Sequence, residues 1–164
     1  MEQRDYILRE IEKIGLILTA IRRKLFGGRA GSSFAEADKT AGSEYEKELD
    51  LKIDFSELGI DLDKFLLLDT AETDNYLSNI KGMNVENIEL LADCLAQMGT
   101  EEESGQMETD YSNSESAQNN QYLLKALQLY HLCNLKSSTY SFSRERKILM
   151  IENGENSENI ESEE

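Results

Sequence analysis

Near the start of the chain, Ile7, Ile11, Ile14, Leu18, Ile21 and Leu25 recur at alternating steps of four and three. That is the spacing of one seam on a helix with about 3.6 residues per turn. Leu8, Leu16 and Ile17 widen the seam. Arg22, Arg23 and Lys24 close the pattern, where cations oppose the negative end of the helix dipole. Gly27 and Gly28 then supply a stop. The pattern predicts an N-terminal amphipathic helix over residues 1–26. Residues 27–43, GGRAGSSFAEADKTAGS, have small side chains and four glycines, and read as a flexible linker.

The next stretch is ambiguous. Ser43 and Glu46 form a Ser-x-x-Glu capping box, yet in ELDLKIDF the residues Leu49, Leu51, Ile53 and Phe55 alternate with charged neighbours, a strand pattern. The short IDLD run after Gly59 is the one candidate partner strand, so a helix over residues 43–58 is the preferred reading and the strand stays open. Asp61 or Asp63 can start a short helix through KFLLLD. Asp69 and Glu72 make a second capping box leading into TAETDNYLSNIKG, with a stop at Gly82. Asn84 can cap NVENIELLADCLAQMG, in which Ile88, Leu91, Leu95 and Met98 share a face and Gly99 marks the end. NNQYLLKALQLYHLCNL offers Leu123, Leu127, Tyr130 and Leu135 at near-helical spacing. SFSRERKILMIE, capped near Ser141 or Ser143, forms the last helix.

Between the two strongest of these patterns lies TEEESGQMETDYSNSESAQNN, with six acidic and no basic residues. It reads as an acidic loop over residues 100–120, part of which can extend the following helix. Residues 152–164 repeat its character and read as a disordered acidic tail, since neither segment has enough apolar surface to offset its ordering entropy. The organisation expected is therefore a helix, a linker, a helical domain over residues 44–151, and a tail.

Charge sharpens the picture. Of 33 acidic and 17 basic residues, four acidic and seven basic lie at or before Arg29, a local charge of +3, so the remainder carries −19 and the whole chain −16. Such a field repels phosphate backbones, and nucleic acid is not an expected partner. Proline and tryptophan are absent, and Cys94 and Cys133 are too few for a disulfide framework. Charged residues interrupt the first turns, unlike a signal peptide. The longest mainly apolar run, residues 14–21, is far short of the roughly 20 residues a membrane span needs. A cytoplasmic protein is expected.

Chemistry leaves few marks. His131 is the one histidine, and Cys133 lies two residues on, pointing elsewhere on the same helix. DFSELGIDLDKF places Asp54, Ser56 and Gly59 at calcium-loop positions but puts Leu58 and Phe65 where ligands are required. No phosphate-loop, dinucleotide, zinc-protease or nucleophile-elbow motif is present. No catalytic residue, cofactor or metal is expected.

The helix bearing Ile88-x-x-Leu91-Ala92-x-x-Leu95 resembles the first helix of a tetratricopeptide repeat, and Ala126-x-x-x-Tyr130 resembles the small-then-aromatic pair of the second. Small residues at Ala92 and Ala126 would let two antiparallel helices approach closely. The chain departs from that pattern in lacking its tryptophan, glycine and closing proline, and the acidic insert stretches the pair beyond the usual repeat of about 34 residues. From DYILREIE through LLADCLAQMG and LLKALQLYHL, the chain also resembles an uncharacterised bacterial family of short acidic helical proteins. The resemblance implies an all-α, antiparallel, tetratricopeptide-repeat-like helical array and brings no activity. The function expected is a non-enzymatic protein–protein interaction or self-assembly module. The first helix (Ile7, Ile11, Ile14, Leu18, Ile21, Leu25, with Arg22, Arg23 and Lys24) is the main contact candidate, for another protein or for a second copy in a homodimer. The alternatives are reversible attachment to a membrane surface through that helix, which its acidic residues disfavour, and a small-ligand binder or enzyme with an unrecognised site.

Overall fold

The computed structural model of the chain describes residues 2–27, 44–100 and 112–160. Among them the regular structure is helical throughout: α1 (Glu2–Gly27), α2 (Glu44–Glu57), α3 (Leu62–Leu67), α4 (Thr70–Ser78), α5 (Val85–Thr100), α6 (Ser112–Lys136) and α7 (Phe142–Ile160). The centre of the fold is the pair α5 and α6, which run antiparallel. Gly99 lies against Asn119 and Leu123 at one end, and the Cys133 thiol donates to the Val85 carbonyl at the other. Helix α1 runs parallel to α5, with Ile11 beside Asn87 and Leu18 beside Cys94. Helices α2 to α4 pack beside this core, and α7 folds back along α6.

The ambiguous segment is helix α2. Its alternation gives way to a longer period: Leu51, Phe55 and Leu58, at steps of four and three, turn inward, whereas Ile53 is exposed. The IDLD run that would have paired with a strand is a turn and a cap instead. Ile60 and Leu62 are buried, and Asp61 accepts from the Lys64 amide at 3.3 Å as the N-cap of α3. The second capping box forms as expected, with Asp69 accepting from the Glu72 amide at 2.8 Å and Glu72 returning to the Asp69 amide at 3.1 Å. Asn84 caps α5 by accepting from the Asn87 amide, and Ser141 caps α7 by accepting from the Arg144 amide.

Three boundaries differ from expectation, at the ends of α4, α5 and α7. Helix α4 stops at Ser78, and Gly82 belongs to the turn that follows. Gly99 lies inside α5, where its missing side chain makes room for α6: a Cβ there would sit 2.6 Å from Leu123 Cγ. Helix α6 begins at Ser112, so part of the acidic stretch does extend the following helix, and the backbone of α7 is helical to Ile160, into the stretch expected as a tail. The expected linker at residues 28–43, the centre of the acidic loop at residues 101–111 and the last four residues of the tail lie outside the described residues.

Gly82 carries two constraints. Its φ of +86° is in the left-handed region, and a Cβ would come 2.5 Å from the backbone carbonyl of Glu10 in α1. Gly59, at φ +83°, has nothing within 4 Å of such an atom. Gly82→Ala is therefore expected to lower stability by about 2–4 kcal/mol, and Gly59→Ala by only about 1 kcal/mol. Urea denaturation of both variants measures the difference, and equal losses would show that the approach of α1 contributes nothing.

Candidate interaction surface

The seam of α1 divides into two parts. Ile14, Leu18, Ile21 and Leu25 are buried against the rest of the chain, Ile11 is half-buried, and Ile7 is 55% exposed, together with its neighbours Tyr6 and Leu8. Burying each large aliphatic side chain contributes about 1.5–3 kcal/mol, so four of them hold the second half of α1 in place. The basic cluster is partly engaged too. Lys24 Nζ lies 2.6 Å from Asp54 of α2, and Arg22 lies 3.9 Å from Asp93 of α5, while Arg23 is exposed. The division has a polar cause. Asn87, almost fully buried, donates from Nδ2 to the carbonyls of Ile11 (3.0 Å) and Gly82 (2.7 Å), fixing α1 at its third turn against the start of α5. Before that point the side chains of residues 2–9 are exposed, and Lys81 Nζ lies 5.6 Å from the centre of the Tyr6 ring. A shallow depression along Glu2, Gln3, Tyr6 and Ile7 lies on this segment.

The residues that carry the repeat resemblance (Ile88, Leu91, Ala92, Leu95, Ala126 and Tyr130) are all buried. Tyr130 also has a polar duty, because its hydroxyl donates to Asp93 Oδ1 at 2.5 Å. Asp93, its side chain only 11% exposed, meets Lys147 of α7 at 2.8 Å on the same oxygen and Arg22 of α1 on the other. One turn earlier, Glu89 takes Arg144 at 3.0 Å and Lys147 at 3.4 Å. Arg144, itself buried, reaches Asn134 of α6 with its other terminal nitrogen. Burial and the hydrogen bond to Asp93 both push the Tyr130 hydroxyl pKa upward, so it stays protonated and donating.

Nucleophile chemistry finds little to work with. Burial pushes the Cys94 thiol up to about 12 and Cys133 up to about 11, which keeps both protonated. Each donates to a backbone carbonyl, Leu18 and Val85 respectively. His131 is exposed and lies 3.8 Å from Glu152 rather than beside either sulfur. The stretch that partly matched a calcium loop is the turn and cap between α2 and α3. No cluster of three or more metal-ligating side chains occurs among the described residues.

Lys125 is the unexpected buried charge. It is 3% exposed, and its Nζ donates to Thr73 Oγ1 at 2.6 Å and the Leu68 carbonyl at 2.8 Å, 4.7 Å from the centre of the Phe65 ring. Desolvation lowers its pKa from 10.5 to about 8, against the opposing charges of Asp69 and Glu72. Position 125 lies on the side of α6 away from the expected stripe of Leu123, Leu127 and Tyr130. It turns inward because α3 and α4 cover that side.

Of the twelve exposed large apolar side chains among the described residues, three belong to the first turns of α1, Leu16, Ile53, Leu67 and Leu124 are scattered, and five come from one stretch of the chain. Leu135, Tyr140, Phe142, Leu149 and Met150, all from the end of α6, the connection and α7, are exposed, Phe142 at 82% and Met150 at 68%. On α7, Phe142, Leu149 and Met150 follow a spacing of zero, seven and eight with exposed Arg146 between them, so they share one outward face. Leu135 is a correction, since its expected place on the buried face of α6 is taken by Tyr122, Ala126, Leu129 and Cys133. A signal was present in sequence. Ile148 to Ile151 are four consecutive apolar residues, and at about 100° per residue they cannot all face one core.

Two outcomes test the polar interior. Asp93→Ala leaves the Tyr130 hydroxyl without its acceptor and Lys147 with only its 3.4 Å contact to Glu89, and is expected to cost about 2–4 kcal/mol; Asp93→Asn keeps an acceptor and loses less. Denaturation midpoints in which the two variants match would remove Asp93 from this role. For Lys125, the unfolded chain holds more protons than the folded one between pH of about 8 and 10.5. Stability from this group therefore rises with pH through that window and is flat below it. The difference in urea midpoint between wild type and Lys125→Met should shift in favour of wild type across the window, and a constant difference would contradict the assignment.

No family model, curated protein or solved structure matches the chain in the comparisons made with each.

Proposed function

We propose that the chain is a non-enzymatic interaction module, a helical, repeat-like domain that holds a protein partner through apolar surface its own fold leaves uncovered. The observation that carries the reading is the exposed edge of α6 and α7, beside a core that is already filled by the α5–α6 pair and α1. A monomer gains nothing from Phe142, Leu149 and Met150 in water, and contiguous apolar patches on otherwise well-packed proteins mark contact sites. The exposed first turns of α1, with Tyr6, Ile7 and Leu8, form a second and smaller patch, the part of that helix still available to another chain. Membrane attachment has less support, because the apolar half of α1 that a lipid surface would take is packed on α5 and its Lys24 is paired with Asp54. No described helix is long and apolar enough to cross a membrane.

Deleting the first helix is a poor test, since Leu18 and Ile21 would be lost from the core with it. A photo-crosslinking side chain placed singly at Ile7, at Leu149 and at the exposed polar position Asp63 in the full chain, expressed in its own cell, keeps the fold intact. Discrete adducts at Ile7 or Leu149 and none at Asp63 are expected; a dimer-sized adduct would identify self-assembly as the form of the interaction. Equal, diffuse labelling at all three positions would overturn the reading.

A further inference from the structure

We infer that the outward face of α7 seats an amphipathic helix of a different protein, with a carboxylate of that helix set on Arg146; this rests on the interaction-module reading above. The face has the layout of a helix-docking surface. Phe142 stands at one end, Leu149 and Met150 two turns on, and Arg146 between them, exposed and without an ion pair or hydrogen bond among the described residues. Helix-in-groove recognition is read by apolar anchors at such spacings, with a charge pair setting the register. Tyr140 extends the surface, held edge-on to Phe142 at 4.9 Å between ring centres.

Charge selects the occupant. On the α6 side the stripe is bordered by Glu145 and Glu152, which meet Asn134 and His131, so the single cation is ringed by apolar and acidic groups. A guest therefore fits with its carboxylate in the middle of its own apolar stripe and basic residues along the flank facing Glu145 and Glu152. A second copy of this chain fits poorly. Twofold antiparallel pairing centred on the stripe would set Arg146 against Arg146, and each copy carries a net charge of −16. An anionic lipid surface meets the same acidic field and border.

The probe is a pair of fluorescein-labelled synthetic helical peptides. Both carry leucines at i, i+3, i+4 and i+7 and lysines on one flank; one has Glu and the other Lys at the centre of the leucine stripe. Fluorescence anisotropy with the full chain should show the central-Glu peptide binding roughly tenfold or more tightly than the central-Lys peptide. Arg146→Glu should reverse that preference, and the exposed pair Phe142→Ser with Met150→Ser should abolish binding of both while leaving the thermal melt unchanged. Equal affinity for the two peptides, a preference unmoved by Arg146→Glu, or binding that survives Phe142→Ser with Met150→Ser would each overturn the inference, as would wild-type protein that binds neither peptide. So would sedimentation as a dimer that Phe142→Ser with Met150→Ser dissolves. Failure here with discrete crosslinks at Ile7 would leave the interaction reading standing and move the contact to α1.

Discussion

A carboxylate taken out of water is costly unless charged and hydrogen-bonded partners replace its hydration. Asp93 meets that condition by gathering Tyr130 from α6, Lys147 from α7 and Arg22 from α1 around one side chain on α5. The apolar core alone would let these helices slide or rotate, because hydrophobic contact is non-directional. The 2.5 Å bond to the Tyr130 hydroxyl and the 2.8 Å bond to Lys147 Nζ are directional, and they converge on one oxygen. Two helices, α6 and α7, are therefore given fixed registers by a single group on a third, and Arg22 of α1 adds a longer charge contact at 3.9 Å. Glu89 repeats the device one turn earlier for α7 alone, through Arg144 and Lys147.

The same constraint explains why α7 shows two faces. Arg144, Lys147, Ile148 and Ile151 are drawn toward α5 and α6. Rotation of α7 to bury Phe142 or Met150 would pull Lys147 from Asp93 and Arg144 from Glu89. The outward apolar face is thus a consequence of the polar inward one. In α1 a parallel logic acts along the axis instead of around it. Asn87 grips the Ile11 carbonyl, and Gly82 lets the following turn lie against Glu10, so the seam is covered from that point onward and exposed before it.

These cases show what could be read from sequence and what could not. The helices of α1, α3, α4 and α5 were legible because caps and apolar spacing are local properties of the chain. The Asp69–Glu72 box and the Asn84 cap are contacts within a single turn. The end of the covered part of α1 was not legible, because Ile7 and Ile14 have equal claims on the seam and only the position of Asn87 and Gly82, far along the chain, separates them. Lys125 was missed for the same reason. A lysine at that position belongs to the solvent face of an isolated helix, and only the arrival of α3 and α4 turns it into a buried group. The α6 stripe was misassigned at Leu135 because α6 is covered from several sides, so its buried surface is wider than any one seam.

Lys125 and Arg146 are opposite solutions to one problem, and the contrast bears on function. Lys125 is a cation without a carboxylate contact that the fold nevertheless satisfies, through Thr73, the Leu68 carbonyl and the Phe65 ring, at the expense of a pKa lowered to about 8. Its identity follows from the packing around it. Arg146 is a cation set within an apolar stripe that the described fold neither buries nor pairs. Folding places no demand on that face: polar residues at positions 142, 149 and 150 would keep every contact that Asp93 and Glu89 make. Apolar side chains at an exposed face add no stability to the monomer and carry a cost in solubility. The combination of that apolar stripe and an exposed cation in its middle is the physical ground on which the proposed contact is placed on the outer face of α7 ahead of the opening helix.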